Sequence, residues 1–212
     1  MTTPFGCNRE GRKHFGCLWG RPCWDIHYRD FFLRLHFLPS DFVQANAEVN
    51  RLLVADVVRR LELDHGSRVL ELFSGMGNFS LALTRRAGEV VAVEGDASLV
   101  GRARANARAN GIENIAFHLA DLARKPRAGS PWLTRRVDAV LLDPPHGGAA
   151  ALIPALIDLR PQRIFYVSCH PATLVRDAAE LMKGGFRLHG AGIAAMFPNT
   201  GHVESRALFE AS

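Results

Sequence analysis

Five short apolar runs, residues 68–73, 89–94, 114–118, 137–142 and 163–168, alternate with helix-patterned stretches at 78–86, 97–110, 149–158 and 171–183. Strands joined through helices return in the same direction, so the alternation predicts an α/β fold, a mostly parallel sheet with helices on both faces. Residues 186–193 and 202–209 follow one another without a helix between them, which predicts an antiparallel hairpin at the sheet edge. An amphipathic stretch, 42–61, leads into the sheet. Its cap is expected at Ser40 or Asp41, with Val49, Leu52, Leu53, Val57 and Leu61 on one face. Residues 1–35 mix Gly, Arg, Cys, His and aromatic residues without helical or strand periodicity, so an irregular leader is expected there and a single domain over 36–212. With 212 residues, 48% of them hydrophobic, the chain can bury one substantial core but not two.

Parallel sheets bind ligands at the carboxyl ends of their strands. The first strand ends at Phe73 and runs into Ser74-Gly75-Met76-Gly77, a turn in which glycine lets the backbone approach a ligand. The third glycine of the dinucleotide fingerprint is absent, which disfavours a pyrophosphate. Glu94, at the end of the second strand, is placed to accept from both ribose hydroxyls of an adenosine. Asp121, after the third, is placed to accept from the adenine amino group, and Asp143-Pro144-Pro145 closes the fourth. Singly these could be solvated turn residues and tight-turn glycines. Four such signals at four successive strand ends point to S-adenosylmethionine rather than NAD.

Cys169 ends the fifth strand. A buried cysteine is usually only a small apolar residue, but this one sits at the mouth of a helix, where free N–H groups and the dipole favour a thiolate. It also ends the strand beside the one that Asp143 ends. A thiolate next to a methyl donor suggests covalent activation of a pyrimidine. Attack on C6 makes C5 nucleophilic, C5 takes the methyl group, and a base removes the C5 proton so that the cysteine can leave. Glu204, in His202-Val203-Glu204-Ser205, is the candidate base; the alternative is an exposed carboxylate on the last hairpin.

The net charge of +5 is compatible with an anionic partner without requiring one. Arg102, Arg104 and Arg108 share a helix whose spacing suits a solvated face as well as an RNA contact, and Trp132 suits core or RNA. No apolar run of about 18 residues is present and the N-terminus lacks a signal-peptide core, so no membrane span and a reduced, cytoplasmic monomer are expected.

These residues resemble the S-adenosylmethionine-dependent RNA uracil-C5 methyltransferases. The matching motifs are Phe42-Val43-Gln44-Ala45-Asn46, the block from Glu71 to Phe79, Asp143-Pro144-Pro145, Ser168-Cys169-His170-Pro171-Ala172-Thr173-Leu174, and Met196-Phe197-Pro198 through Glu204. The resemblance implies a Rossmann-like class I methyltransferase domain, with Gln44, Phe73, Asn78, Glu94, Asp121 and Asp143 contacting S-adenosylmethionine, Cys169 as nucleophile and Glu204 as proton acceptor. The wording Gly-Met-Gly-Asn-Phe and His-Val-Glu-Ser is closer to the bacterial 23S ribosomal RNA branch than to the transfer RNA branch.

The chain departs from that family at three places. His146 stands where arginine is usual, His170 where asparagine is usual, and Ala195 where aspartate is usual. It is also N-terminally short: the RNA-binding barrel and central domain of full-length relatives have no room here. Cys7, Cys17 and Cys23 do not reproduce the family's iron-sulfur spacing, so no metal is expected. Residues before His36 are an unrelated leader, a remnant of missing domains or the product of a shortened reading frame. Two rivals stay open: a cofactor-binding fragment silent toward RNA, and an enzyme acting on transfer RNA or another ribosomal uridine. An amino-group methyltransferase is disfavoured, because it would leave Cys169 and Glu204 without a role.

Overall fold

The computed structural model describes residues 17–18, 21–22, 24–38, 41, 46–133, 136–194 and 203–212. Strands β1 (Cys17–Leu18) and β2 (Arg21–Pro22) form a small antiparallel pair. They are followed by a hairpin of β3 (Trp24–Tyr28) and β4 (Leu33–Phe37) and by α1 (Ala47–Arg60). The central sheet then builds from β5 (Arg68–Leu72), α2 (Ser80–Leu83), β6 (Glu89–Glu94), α3 (Ala97–Ala109), β7 (Ile115–Leu119), β8 (Ala139–Leu142), α4 (Ile153–Leu159), β9 (Arg163–Ser168), α5 (Pro171–Lys183), β10 (Phe186–Ala194) and β11 (Glu204–Ala211).

The strands lie in the order β10-β11-β9-β8-β5-β6-β7. The five from β9 to β7 are parallel; β11 runs antiparallel to β9, and β10 to β11. This is the expected Rossmann-like sheet with its edge hairpin, the later strand lying inside the earlier one. The chain moves outward from β5 through β6 to β7, then crosses to β8 on the other side of β5. That switch opens a crevice above the carboxyl ends of β5 and β8.

Alternate strand residues feed two cores. Val69, Val90, Leu141, Phe165 and Val167 pack toward α1, α2 and the β3–β4 hairpin, whereas Leu70, Val91, Val140, Leu142 and Tyr166 pack toward α4 and α5. Trp132 belongs to the second core, which decides its placement. No helix among the described residues is long and apolar enough to cross a membrane.

Four expectations differ in detail. The cap of α1 is Asn46, whose Oδ1 accepts from Val49 N–H at 3.1 Å, rather than Ser40 or Asp41. The buried face of α1 is Leu53, Val54, Val57 and Val58, while Leu52 is exposed. The irregular leader ends earlier than residue 35: Tyr28, Phe31, Leu33 and Leu35 are buried in the first core. The physical reason is an alternation in β4, where the Leu33 and Leu35 side chains face inward and those of Arg34 and His36 pair with Asp25, while the backbone N–H groups of Arg34 and His36 donate to α3 side chains. Arg102 is buried against Asp41, which removes it from the candidate RNA contacts.

Candidate functional site

Beyond β5 the backbone bends sharply. Phe73 adopts φ +66, a left-handed conformation that costs a non-glycine residue on the order of 1 kcal/mol or more. The N–H groups of Phe73 and Ser74 both reach Val93 O, at 2.9 and 3.1 Å, so the strain is held by β6. Gly75 and Gly77 follow at φ +57 and +97. A Cβ at Gly77 would lie 3.3 Å from Leu81, whereas Gly75 has open space around it. The turn is thus glycine-built and open on its Gly75 side.

Glu94 holds this turn. One carboxylate oxygen accepts from Gly75 N–H at 2.9 Å, and the other from Gly95 and Asp96 N–H at 2.7 and 3.0 Å. Asn78 points the other way: it shares a closed network with Asn50 and the Tyr28 hydroxyl, which ties the turn to α1 and the hairpin. Asp121 is exposed after β7, accepting from Ala123 N–H at 3.0 Å and paired with Arg124 at 3.1 Å. Gln44, Ala195 and the Met196-Phe197-Pro198 motif lie outside the described residues, as do Cys7, Cys23 and the side chain of Cys17.

The centre of the crevice is acidic. Glu71, fully buried on β5, takes a hydrogen bond from the Ser80 hydroxyl on one oxygen, while its Oε1 is buried without a partner. Burial above all, then the charges of Asp143 and Glu94, push its carboxyl up to about 8. Asp143, at the end of β8, is pushed up to about 7 by burial and by Glu204. Burial alone pushes Glu204 up to about 7. Sequence reasoning missed Glu71 as a site residue. A carboxylate inside an apolar strand was the available signal, since burying one unpaired is costly.

Cys169 stands between β9 and α5. The pairing of Ser205 with Ser168, reinforced by Ser205 Oγ donating to Ser168 O at 2.9 Å, brings Glu204 alongside it. The thiol is half-buried and its pKa is raised, by burial first and then by Glu204 and Asp143. This runs against the expectation that the helix N-terminus would favour the thiolate: burial and two neighbouring carboxyls favour the thiol. Beside it, the rings of His146 and His170 meet at 5.6 Å between centroids, and Nδ1 of His170 is buried without a partner. The arrangement joins a thiol, two carboxyls raised to about 7 and an open glycine turn in one crevice.

A sequence profile described as tRNA (Uracil-5-)-methyltransferase matches residues 24–125 and 132–212. The chain is 52% identical over 179 residues to the 23S rRNA (uracil(1939)-C(5))-methyltransferase RlmD of Alkalilimnicola ehrlichii, covering 84% of this chain and 40% of that protein. It is 49% identical over 189 residues to the same-named protein of Pseudomonas fluorescens Pf-5, covering 89% and 40%. The chain therefore spans about 40% of the length of these curated relatives. Among solved structures, the Pyrococcus abyssi tRNA (uracil-54, C5)-methyltransferase in complex with S-adenosyl-L-homocysteine superposes with a TM-score of 0.76 at 28% identity, over 90% of this chain and 45% of that one. The M. jannaschii tRNA m1G37 methyltransferase, at 14% identity and TM-score 0.68 over 91% of this chain and 57% of that one, shares the fold.

Proposed function

Because the chain belongs to the tRNA (uracil-5-)-methyltransferase family, we propose that it transfers a methyl group from S-adenosylmethionine to C5 of a uridine in RNA. The favoured substrate is 23S rRNA, since relatives about half identical to this chain carry that substrate in their names. It acts as a cytoplasmic monomer, with a catalytic domain whose core takes in the β3–β4 hairpin. The observation that carries this reading is the Cys169, Glu204 and Asp143 constellation at neighbouring strand ends, beside an open glycine turn.

The crevice fits the cofactor. Glu71 Oε1 and Ser74 Oγ are buried and unpartnered at the turn, and Gly75 leaves room beside them. Phe73, Glu94, Asp121, Asp143 and Gln44 are assigned to hold S-adenosylmethionine, with Asn78 supporting the turn from behind. When bound, that group supplies an electrophilic methyl. Cys169, as thiolate, bonds to C6 of the uracil and shifts the ring's electron pair toward C5, which then bonds to the methyl carbon as the bond from that carbon to sulfur breaks and S-adenosylhomocysteine leaves with the pair. Glu204, as carboxylate, takes the C5 proton; the electron pair re-forms the C5–C6 double bond and the thiolate leaves. The target base must leave its stack to reach the thiol, because C6 is shielded within it.

A second reading is a cofactor-binding domain silent toward RNA, favoured by the burial and the neighbouring carboxyls that raise the Cys169 thiol. Trapping on 23S rRNA substituted with 5-fluorouridine separates the two. Fluorine at C5 cannot leave as a proton, so a competent enzyme stalls as a covalent adduct. An adduct that needs S-adenosylmethionine and is absent in Cys169→Ala supports methylation; cofactor binding without an adduct supports the silent domain.

A further inference from the structure

Behind the crevice, Asp177 on the second turn of α5 is only 1% exposed, and no step of the proposed chemistry uses it. One of its oxygens accepts from the Tyr166 hydroxyl at 2.7 Å and from Ala149 N–H at 2.7 Å. The other accepts from Arg176 Nε at 2.8 Å. Arg176 in turn donates to Gly147 O at 3.0 Å. Between these two carbonyl and amide anchors lies Gly148 at φ +74, where a Cβ would stand 2.6 Å from the Arg176 guanidinium and 2.8 Å from the Asp177 carboxylate. The loop after Asp143 is therefore pressed onto α5 so closely that only glycine fits.

Each partner of Asp177 belongs to a part of the crevice. Tyr166 lies on β9, three residues before Cys169. Ala149 and Gly147 end the loop that begins at Asp143 and carries His146. Asp177 itself sits on the helix that Cys169 introduces. The contact between His146 and His170 is made where this loop crosses that helix. A buried carboxylate with three donors is held more firmly than a surface ion pair, since losing the carboxylate takes the partner of the buried Tyr166 hydroxyl, to which Ala149 N–H also donates at 3.1 Å.

We propose that Asp177 is a positioning residue: through Tyr166, Ala149 and Arg176 it locks the 144–149 loop to α5, and so fixes Asp143 and His146 relative to Cys169. The proposal rests on the uracil-C5 reading for its effect on rate, but the lock itself can be tested without RNA. Asp177→Ala removes every contact. Asp177→Asn keeps an oxygen for Tyr166 and Ala149 and loses the acceptor facing Arg176, which covers the case in which the alanine variant does not fold. Gly148→Ala wedges the loop away from α5 while leaving Asp177 in place.

Adduct formation on 5-fluorouridine RNA is expected to slow roughly tenfold or more in Asp177→Ala and Gly148→Ala, and less in Asp177→Asn, since about 1 Å of misplacement can cost up to 100-fold. The affinity for S-adenosylhomocysteine should fall less than the rate, because Asp143 is one of several residues assigned to hold that ligand and Asp177 is none of them. Rates within about twofold of the parent, or cofactor affinity falling in step with rate, would overturn the proposal. In parallel, alkylation of Cys169 by iodoacetamide, followed on its own peptide, should quicken roughly threefold as the loop and His170 uncover the thiol. An unchanged alkylation rate overturns the lock even where the parent forms no adduct, and so separates this failure from failure of the methylation reading.

Discussion

In the proposed mechanism, Cys169 and Glu204 oppose one another electrostatically before they cooperate chemically. The thiol is held above its ordinary range by burial and by the Glu204 and Asp143 charges, and Glu204 itself titrates near 7. Both groups must lose a proton to act, so methylation should rise with pH through about 7 and continue rising above it, which a pH–rate profile measures. Glu204→Gln removes one of the charges that raise the thiol. Alkylation of Cys169 at pH 8 should then quicken, while methylation falls by roughly 100-fold or more and an adduct accumulates on ordinary uridine, its C5 proton retained. Slower alkylation in that variant would show that the carboxylate does not burden the thiol.

Glu71 gives the same chemistry a stability signature. Its carboxyl is raised to about 8 in the folded chain against an ordinary 4.5, so the folded state holds the proton more tightly than the unfolded one. Its contribution is complete below the unfolded value and is lost as pH climbs from about 4.5 through about 8. Melting temperatures at pH 5 and pH 8 should differ less in Glu71→Gln than in the parent. The residual difference draws on Asp143 and Glu204, which shift in the same direction, and on His118, whose lowered pKa acts in the opposite one.

Among the elements, the β3–β4 hairpin is docked by side chains that imitate a neighbouring strand. Asn106 of α3 accepts from His36 N–H at 2.9 Å and donates to His36 O at 3.1 Å; Asn110 does the same for Arg34, at 2.9 and 2.7 Å. Asn110→Ala strips both bonds from Arg34 and should cost about 1–3 kcal/mol in urea unfolding. A change near zero would mean that water replaces them. The hairpin also shows where sequence reading stopped. Strands 89–94 and 163–168 and helix 171–183 were legible to the residue, because their patterns are strong and bounded by Gly or Pro. The alternation Leu33-Arg34-Leu35-His36 is just as regular but only a few residues long, and it was obscured by the irregular chain before it. The roles of Asp41, Asn78 and Asn110 depend on partners 28 to 76 residues away, which no local pattern reports. The same holds for the thiol: Cys169 was placed from its strand end, but the direction of its pKa depends on burial first and then on Glu204 and Asp143, supplied by other strands.

For the whole molecule, the question is whether this much chain forms a working cofactor site. The crevice draws on β5, β6, β8, β9 and β11 and is supported by α1, α3 and the hairpin, all of which lie within the described residues. S-adenosylhomocysteine should therefore stabilise the intact chain. At 100 times its dissociation constant the gain is about 2.7 kcal/mol. For a chain of this size that raises the melting temperature by roughly 5–11 °C. Glu94→Gln should lose much of the shift, because the same carboxylate holds Gly75 and is assigned to the ribose. RNA engagement is a separate property. With a modest excess of positive charge, adduct formation should fall steeply as salt rises, in the manner of binding dominated by phosphate contacts. A full thermal shift with no adduct even at low salt would assign the cofactor site to this chain and the grip on RNA to surfaces outside it. A thermal shift accompanied by a salt-sensitive adduct would show that the catalytic crevice, with the charges around it, is enough to engage a uridine.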